Sequence, residues 1–262
     1  MTFDDKPYDE IENFNTIEEK KKNWDTAFGL QKADNLEPSK YIQKLADENI
    51  YHDKSYHEIQ DSLYQYYEEN ADASRAQEAD ISSLRIAEIL SEPGFSLAIG
   101  TYLSYHRHIF QGIPNFDHPV GAFRTTNLSK KEEILMGQSV VYADFRRIKD
   151  TLDYDFAEEK KFDYNSLSKS EAAHHVMEFI SNIWQVHPFR EGNTRTTAVF
   201  AIKYLETFGF LVDNKPFQEN AKFFRNALVL AHASYASGYK TNKYLNMFTE
   251  NILLGFNHKL EI

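Results

Sequence analysis

Apolar residues recur at spacings of three and four through most of the chain, the period of a helix that turns one face to a core. The segment "SKSEAAHHVMEFISNIWQV" shows this best, with Ala172, Ala173, Val176, Met177, Ile180, Ile183 and Trp184 on one stripe. Ser168 and Glu171 ahead of it stand in the S-x-x-E relation of a capping box, which predicts a helix that starts there and lies in the core. From Thr16 to Leu90 the chain reads as successive helices, with turns at Pro38 and around "ENADAS" and a last helix over "ISSLRIAEIL". A further helix, "FSLAIGTYLSYHRHIF", is predicted to run to Phe110. Late in the chain come "TTAVFAIKYLETFGF", closed by Gly209, then "NAKFFRNALVLAHASYAS" and "TNKYLNMFTENILLG".

The helical period breaks over "QGIPNFDHPVGAFRTTNLSK", which holds two prolines, two glycines and the β-leaning run "AFRTTNL". A loop with a short strand or hairpin is the economical reading there, with helices resuming near Glu132. The fold class is therefore mainly α, with one short β-hairpin at most.

Composition narrows the chemistry. The 262 residues include no cysteine, which removes disulfides and thiol catalysis and leaves any metal to oxygen or imidazole ligands. A net charge of -11 argues against general nucleic-acid binding, since phosphate neutralisation needs clustered Lys and Arg, although a local basic pocket stays open. No apolar run approaches the roughly 20 residues of a membrane span, and the first residues lack a basic-then-apolar leader, so a cytoplasmic protein is expected.

The stretch "HPFREGNTRTTAVF", His187 to Phe200, concentrates the polar chemistry. His187 continues the stripe three residues past Trp184 before Pro188 interrupts it, and by itself it reads as a buried, satisfied histidine. Gly192, Asn193 and Thr194 stand where a turn gives way to a helix, whose first amides lack intrahelical acceptors and attract anions. Arg195 adds a planar fork suited to phosphate oxygens. Glu191 beside such a cradle is intelligible as a magnesium ligand, because that ion is commonly held by one carboxylate and the phosphates. His187 would then take a proton from a hydroxyl attacking phosphorus. The alternative stays open: a polar interhelical turn in which Glu191 and Arg195 form an exposed i, i+4 pair.

"HPFREGNTRT" closely resembles the signature of Fic-domain proteins, H-P-F-x-(D/E)-G-N-G-R-x-x-R, which sits on a mainly helical core. "HPVGAFRTTNLS", His118 to Ser129, resembles the hairpin flap of that family, and the segments after Val212 resemble its C-terminal helices. The resemblance covers roughly residues 81–255. It implies a Fic-like catalytic domain over 76–262 behind an N-terminal helical segment over 1–75. It implies transfer of AMP from ATP to a Ser, Thr or Tyr hydroxyl of a protein, with release of pyrophosphate and with Mg²⁺ or Mn²⁺ as cofactor. By the same resemblance His187 is the general base, Glu191 the metal ligand, and Gly192, Asn193, Thr194 and Arg195 the phosphate cradle. Asn220 and Arg225 are expected near the nucleotide, and Phe123 and Arg124 on the flap that docks the target. The chain itself is one candidate target, and a homodimer one candidate assembly.

Two letters depart from the pattern. Thr194 replaces the second glycine and Ala198 the second arginine, so a weaker activity, or one tuned to another donor, is expected. Ser74 and Glu78 in "SRAQEA" resemble the inhibitory motif (S/T)-x-x-x-E-(G/N), with Ala79 in its last position. The glutamate of that motif pairs with the arginine missing at Ala198, so Glu78 is expected to inhibit only weakly or to belong to an ordinary solvated helix. UMP or phosphocholine transfer, removal of AMP, and a binding scaffold of Fic fold are the competing functions. His106 with His108, and His174 with His175, are spaced i, i+2 and i, i+1, which does not place them on one helix face for a metal.

Overall fold

Three helices begin on reciprocal capping boxes, Thr16 with Glu19, Ser55 with Glu58 and Ser168 with Glu171, each satisfying donors that a helix start leaves without acceptors. The computed structural model describes residues 15–70, 74–114, 116–210 and 212–262. In chain order its helices are α1 (Ile17–Gln31), α2 (Lys40–His52), α3 (Tyr56–Glu69), α4 (Ser74–Ser91) and α5 (Ile99–Phe110), then α6 (Ile148–Lys161), α7 (Lys169–Val186), α8 (Asn193–Glu206), α9 (Lys215–Ala231) and α10 (Lys243–Leu254). No described helix is long and apolar enough to cross a membrane.

Helix α8 is the axis of the bundle. Every residue from Asn193 to Leu205 is buried, and α1, α4, α5 and α7 all touch it. A helix covered on all sides fixes the loop at its N-terminus, so "HPFREGN" sits where several elements converge. Helix α1 lies against α4 and α9. Its approach to α9 depends on Gly29, where a Cβ would meet the Gln218 backbone at 2.3 Å. Trp24, Ala27 and Leu30 of α1 are fully buried in the same apolar core as α7 and α8, and the Trp24 indole donates to Asn49 Oδ1 of α2 at 2.9 Å. The first four helices thus share their core with the rest.

The expected β-hairpin flap over 118–129 is not present: among the described residues there is no strand. Two amides near its middle are committed elsewhere. Gly121 N donates to His106 Nδ1 at 2.9 Å and Arg124 N to Pro188 O at 2.8 Å. With Gly121 N on a side chain and Arg124 N on the turn after α7, no ladder forms along the run "AFRTTNL", and a lone two-stranded ribbon is marginal in any case. Helices also do not resume at Glu132. A single 3₁₀ turn, Glu133–Leu135, ends in two left-handed residues, Met136 (φ 53°) and Gly137 (φ 86°), which no right-handed helix continues, and α6 starts only at Ile148.

Candidate functional site

The turn between α7 and α8 is held by its own residues. His187 caps α7 in the left-handed region (φ 52°), with its amide donating to Trp184 O at 3.0 Å. Asn193 spends both ends of its side-chain amide on Phe189, accepting from its N–H and donating to its C=O, each at 3.0 Å. Gly192 has φ 78°, and a Cβ there would lie 2.4 Å from the Phe110 ring, so both backbone and packing require glycine. His106 of α5 clamps the turn from behind: its ring stacks on Phe189 at 3.8 Å, accepts from Gly121 N and donates through Nε2 to Glu191 O at 3.0 Å. Burial, aided by the charge of Arg195, pushes His106 down to about 4, so it is neutral near pH 7. Sequence reasoning set His106 aside as an ordinary histidine, and nothing in its spacing marks this role.

His187 is half-buried, face to face with Tyr142 at 4.0 Å and edge-on to Trp184 at 5.5 Å. Its Nδ1 is enclosed with no hydrogen-bond partner among the described residues, which leaves Nε2 as the nitrogen that reaches the surface. Burial outweighs the Trp184 carbonyl, which favours the protonated ring, and with the nearby charges of Arg124, Lys130 and Arg225 pushes the imidazole down to about 3. The ring is therefore neutral throughout the physiological range.

The phosphate end of the loop differs from expectation in what its arginine touches. The amides of Asn193, Thr194 and Arg195 at the start of α8 have no acceptor among the described residues, as an anion site requires. The Arg195 side chain, only 1% exposed, is already engaged by acids. Its Nη2 donates to Glu78 Oε1 at 2.7 Å, and its Nε lies 2.7 Å from Asp34 Oδ2 in close ionic contact without hydrogen-bond alignment. Gln31 and Ser82 accept from Nη1 at 3.2 and 3.3 Å, and Phe110 lies under the guanidinium. Burial works against this charge, but Asp34 and then Glu78 outweigh it and raise its pKa. Glu78 thus meets the arginine that is present, not the one missing at Ala198. Asp34 and Gln31, from the end of α1 and the turn after it, carry no sequence signal of this contact.

Thr194 is buried with Oγ1 accepting from the Trp184 indole at 3.1 Å, so the residue that replaces glycine ties α8 back to α7. Ala198 is fully buried. Glu191 is exposed, its nearest bond being from the adjacent Gly192 N–H at 3.2 Å, and it lines a cleft of about 860 Å³ with Arg195, Glu78, Asn220 and Arg225. Arg225 is paired there with the buried Glu132 at 2.8 Å. Among the described residues no three His, Asp or Glu side chains converge into a metal cage. A free carboxylate on a cleft wall nevertheless fits a magnesium ion that takes its other ligands from phosphates and water.

The two residues expected on the flap part company. Phe123 packs half-buried on the core. Arg124 is buried as a staple: Nε donates to His187 O at 2.7 Å, Nη1 to Thr126 O at 2.6 Å and Nη2 to Ala143 O at 2.5 Å. Ser74 opens α4, and its side chain lies outside the described residues.

Comparison with known proteins places this geometry. Among solved structures, the chain is similar to the N-terminal FIC domain of Bep8, a VirB-translocated effector protein from Bartonella sp. 1-1C, with TM-score 0.50, 17% identity, and coverage of 74% of this chain and 85% of that one. The N-terminal Fic domain of a Bartonella effector protein from Bartonella sp. AR 15-3 gives TM-score 0.49, 19% identity, and coverage of 72% and 83%. BepC of Bartonella tribocorum, solved with bound AMPPNP, gives 0.49, 17%, and 73% and 86%. At such identity the first of these likenesses is one of fold. No curated protein matches the chain. Residues 96–205, from the approach to α5 through nearly all of α8, match the Fic/DOC family model, and the loop from His187 to Arg195 lies within the matched region.

Proposed function

We propose that this chain is a protein adenylyltransferase, moving AMP from ATP to a Ser, Thr or Tyr hydroxyl of a protein. The observation that carries the reading is a neutral His187 with Nε2 at the surface, four residues ahead of Glu191 on the turn that leads to the free amides that open α8. The hydroxyl oxygen attacks the α-phosphorus and its proton passes to His187 Nε2. The bond from that phosphorus to the bridging oxygen breaks, and pyrophosphate leaves. The α8 amides hold phosphate oxygens, and Arg195 joins them when its acids release it. Glu191 would hold Mg²⁺, or Mn²⁺, which when bound neutralises phosphate charge.

Arg195 also supports a restraint on this activity. Glu78 and Asp34 stand on the guanidinium where phosphate oxygens would bind, so nucleotide competes with two acids at once. Either acid holds the arginine when the other is lost, which gives Glu78 alone a weak effect. A donor other than ATP, such as one delivering UMP or phosphocholine, is the competing reading. It is favoured by Ala198, whose burial leaves no cation there for a terminal phosphate.

The test is a lysate incubated with the protein, Mg²⁺ and ATP labelled at the α- or the γ-phosphate. Label from the α-position alone, lost with His187→Ala, is the expected result. Label from the γ-position would mean a kinase, and no label with tight ATP binding would mean a scaffold.

A further inference from the structure

We infer that Tyr142 is a positioning residue for His187, its ring serving as the plate on which the imidazole is seated, with Arg124 locking the two backbones together. The inference rests on the role of base proposed above. Tyr142 is 8% exposed and its ring lies 4.0 Å from that of His187, at 24° between planes. It reaches this place from a segment without regular secondary structure, so something must hold that segment. Arg124 does so: one guanidinium donates to Ala143 O, beside Tyr142, and to His187 O itself, while the Arg124 amide donates to Pro188 O. The backbones at 142–143 and 187–188 are thereby tied through one buried side chain.

The seat has a chemical consequence. His187 sits in the left-handed region, unusual for a residue with a Cβ, and its Nδ1 meets no acceptor at full hydrogen-bond geometry, the nearby Trp184 carbonyl giving only a partial contact. In many catalytic histidines a carboxylate or carbonyl on the second nitrogen sets the ring plane. Here the flat face of Tyr142 and the edge of Trp184 set it. Arg124, Lys130 and Arg225 act on His187 and with the burying rings favour its neutral form, while the acids of the same surroundings are Glu132, paired with Arg225, and Glu191, both of which act on the Tyr142 beside it. The Tyr142 hydroxyl is itself buried without a partner among the described residues, so the ring and not the hydroxyl does the seating.

Two readouts test this. The first is the His187 titration in the free protein, followed by NMR of a histidine-labelled sample and assigned by the loss of its signal in His187→Gln. The second is transfer kinetics with α-labelled ATP. Tyr142→Ala is expected to raise the His187 titration by about one pH unit or more as water reaches the ring. It should lower kcat by roughly tenfold to a hundredfold through lost orientation, with KM for ATP changed by less than about twofold. Tyr142→Leu keeps apolar bulk and removes the plane, so it carries the kinetic test if the alanine variant unfolds. Tyr142→Phe should keep wild-type titration and rate. Wild-type behaviour of the Leu variant in both readouts would overturn the inference, as would loss of rate in the Phe variant, which would assign the work to the hydroxyl. A shifted titration in a protein that transfers no AMP would uphold the seat and refute the proposed reaction.

Discussion

The two ends of one short turn are in opposite conditions. At the His187 end the ring is neutral, its Nε2 is uncommitted, and its surroundings are aromatic and cationic. At the Arg195 end the backbone amides that open α8 are free, but the guanidinium is engaged, with Glu78, Gln31 and Ser82 on its terminal nitrogens and Asp34 in ionic contact with Nε. The nitrogen proposed to accept the proton is uncommitted while the arginine proposed to meet phosphate is engaged. The difference teaches that the letters of "HPFREGNTR" set the surroundings of its two ends unequally. The state of the Arg195 end is decided by α1 and α4, which lie far away in sequence.

The largest expected effect breaks the ready end. His187→Ala should lower AMP transfer by about 10²–10⁴-fold while leaving ATP affinity, measured by calorimetry, close to wild type. Releasing the engaged end comes next. Glu78→Gly alone should raise transfer only severalfold, because Asp34 still covers Arg195, and adding Asp34→Asn should raise it roughly tenfold further, as expected for two acids sharing one buried cation. A hundredfold rise from Glu78→Gly alone would show that Asp34 holds nothing.

A third substitution tests the frame joining the two ends. Gly192→Ala places a Cβ against the Phe110 ring at a positive φ, and should cost about 1–3 kcal/mol in urea unfolding. The smallest effect concerns pH. Because burial pushes His187 down to about 3, kcat/KM should show no acid limb near pH 6.5. Stability carries the opposite sign of evidence: His106 and His232, each pushed down to about 4 by burial, stay neutral in the fold while the unfolded chain takes up protons. Their contribution is complete above about pH 6.5 and is lost as pH falls toward 4. Asp155, pushed up to about 6, acts the other way over part of that window. His232→Gln should accordingly lose less thermal stability than wild type between pH 7 and pH 5.

Periodic segments were legible as helices because apolar stripes and caps act locally. Ser168 with Glu171 forms the capping box where the letters put it, and α7 spans Lys169–Val186. The segment from Gln111 to Lys130 was misread as a hairpin, since β-leaning residues mark an extended chain but not its partner. That partner turned out to be the turn after α7, reached by Arg124. Within the site, His187, Glu191, Gly192 and Arg195 fall on one loop and could be found together. Asp34, Gln31, His106 and Tyr142 could not, because their roles arise from helix packing that no short motif encodes. The approach of α1 through Gly29 is the plainest case, since a single missing Cβ helps bring the Asp34 turn within reach of Arg195.

The measurement that tests the account most directly is transfer from α-labelled ATP by three proteins: wild type, Asp34→Asn/Glu78→Gly, and that double variant with His187→Ala, each verified as folded by circular dichroism. The account predicts more label on protein with the double variant than with wild type, and none once His187 is removed. Equal labelling by wild type and double variant, or labelling that survives without His187, would contradict it.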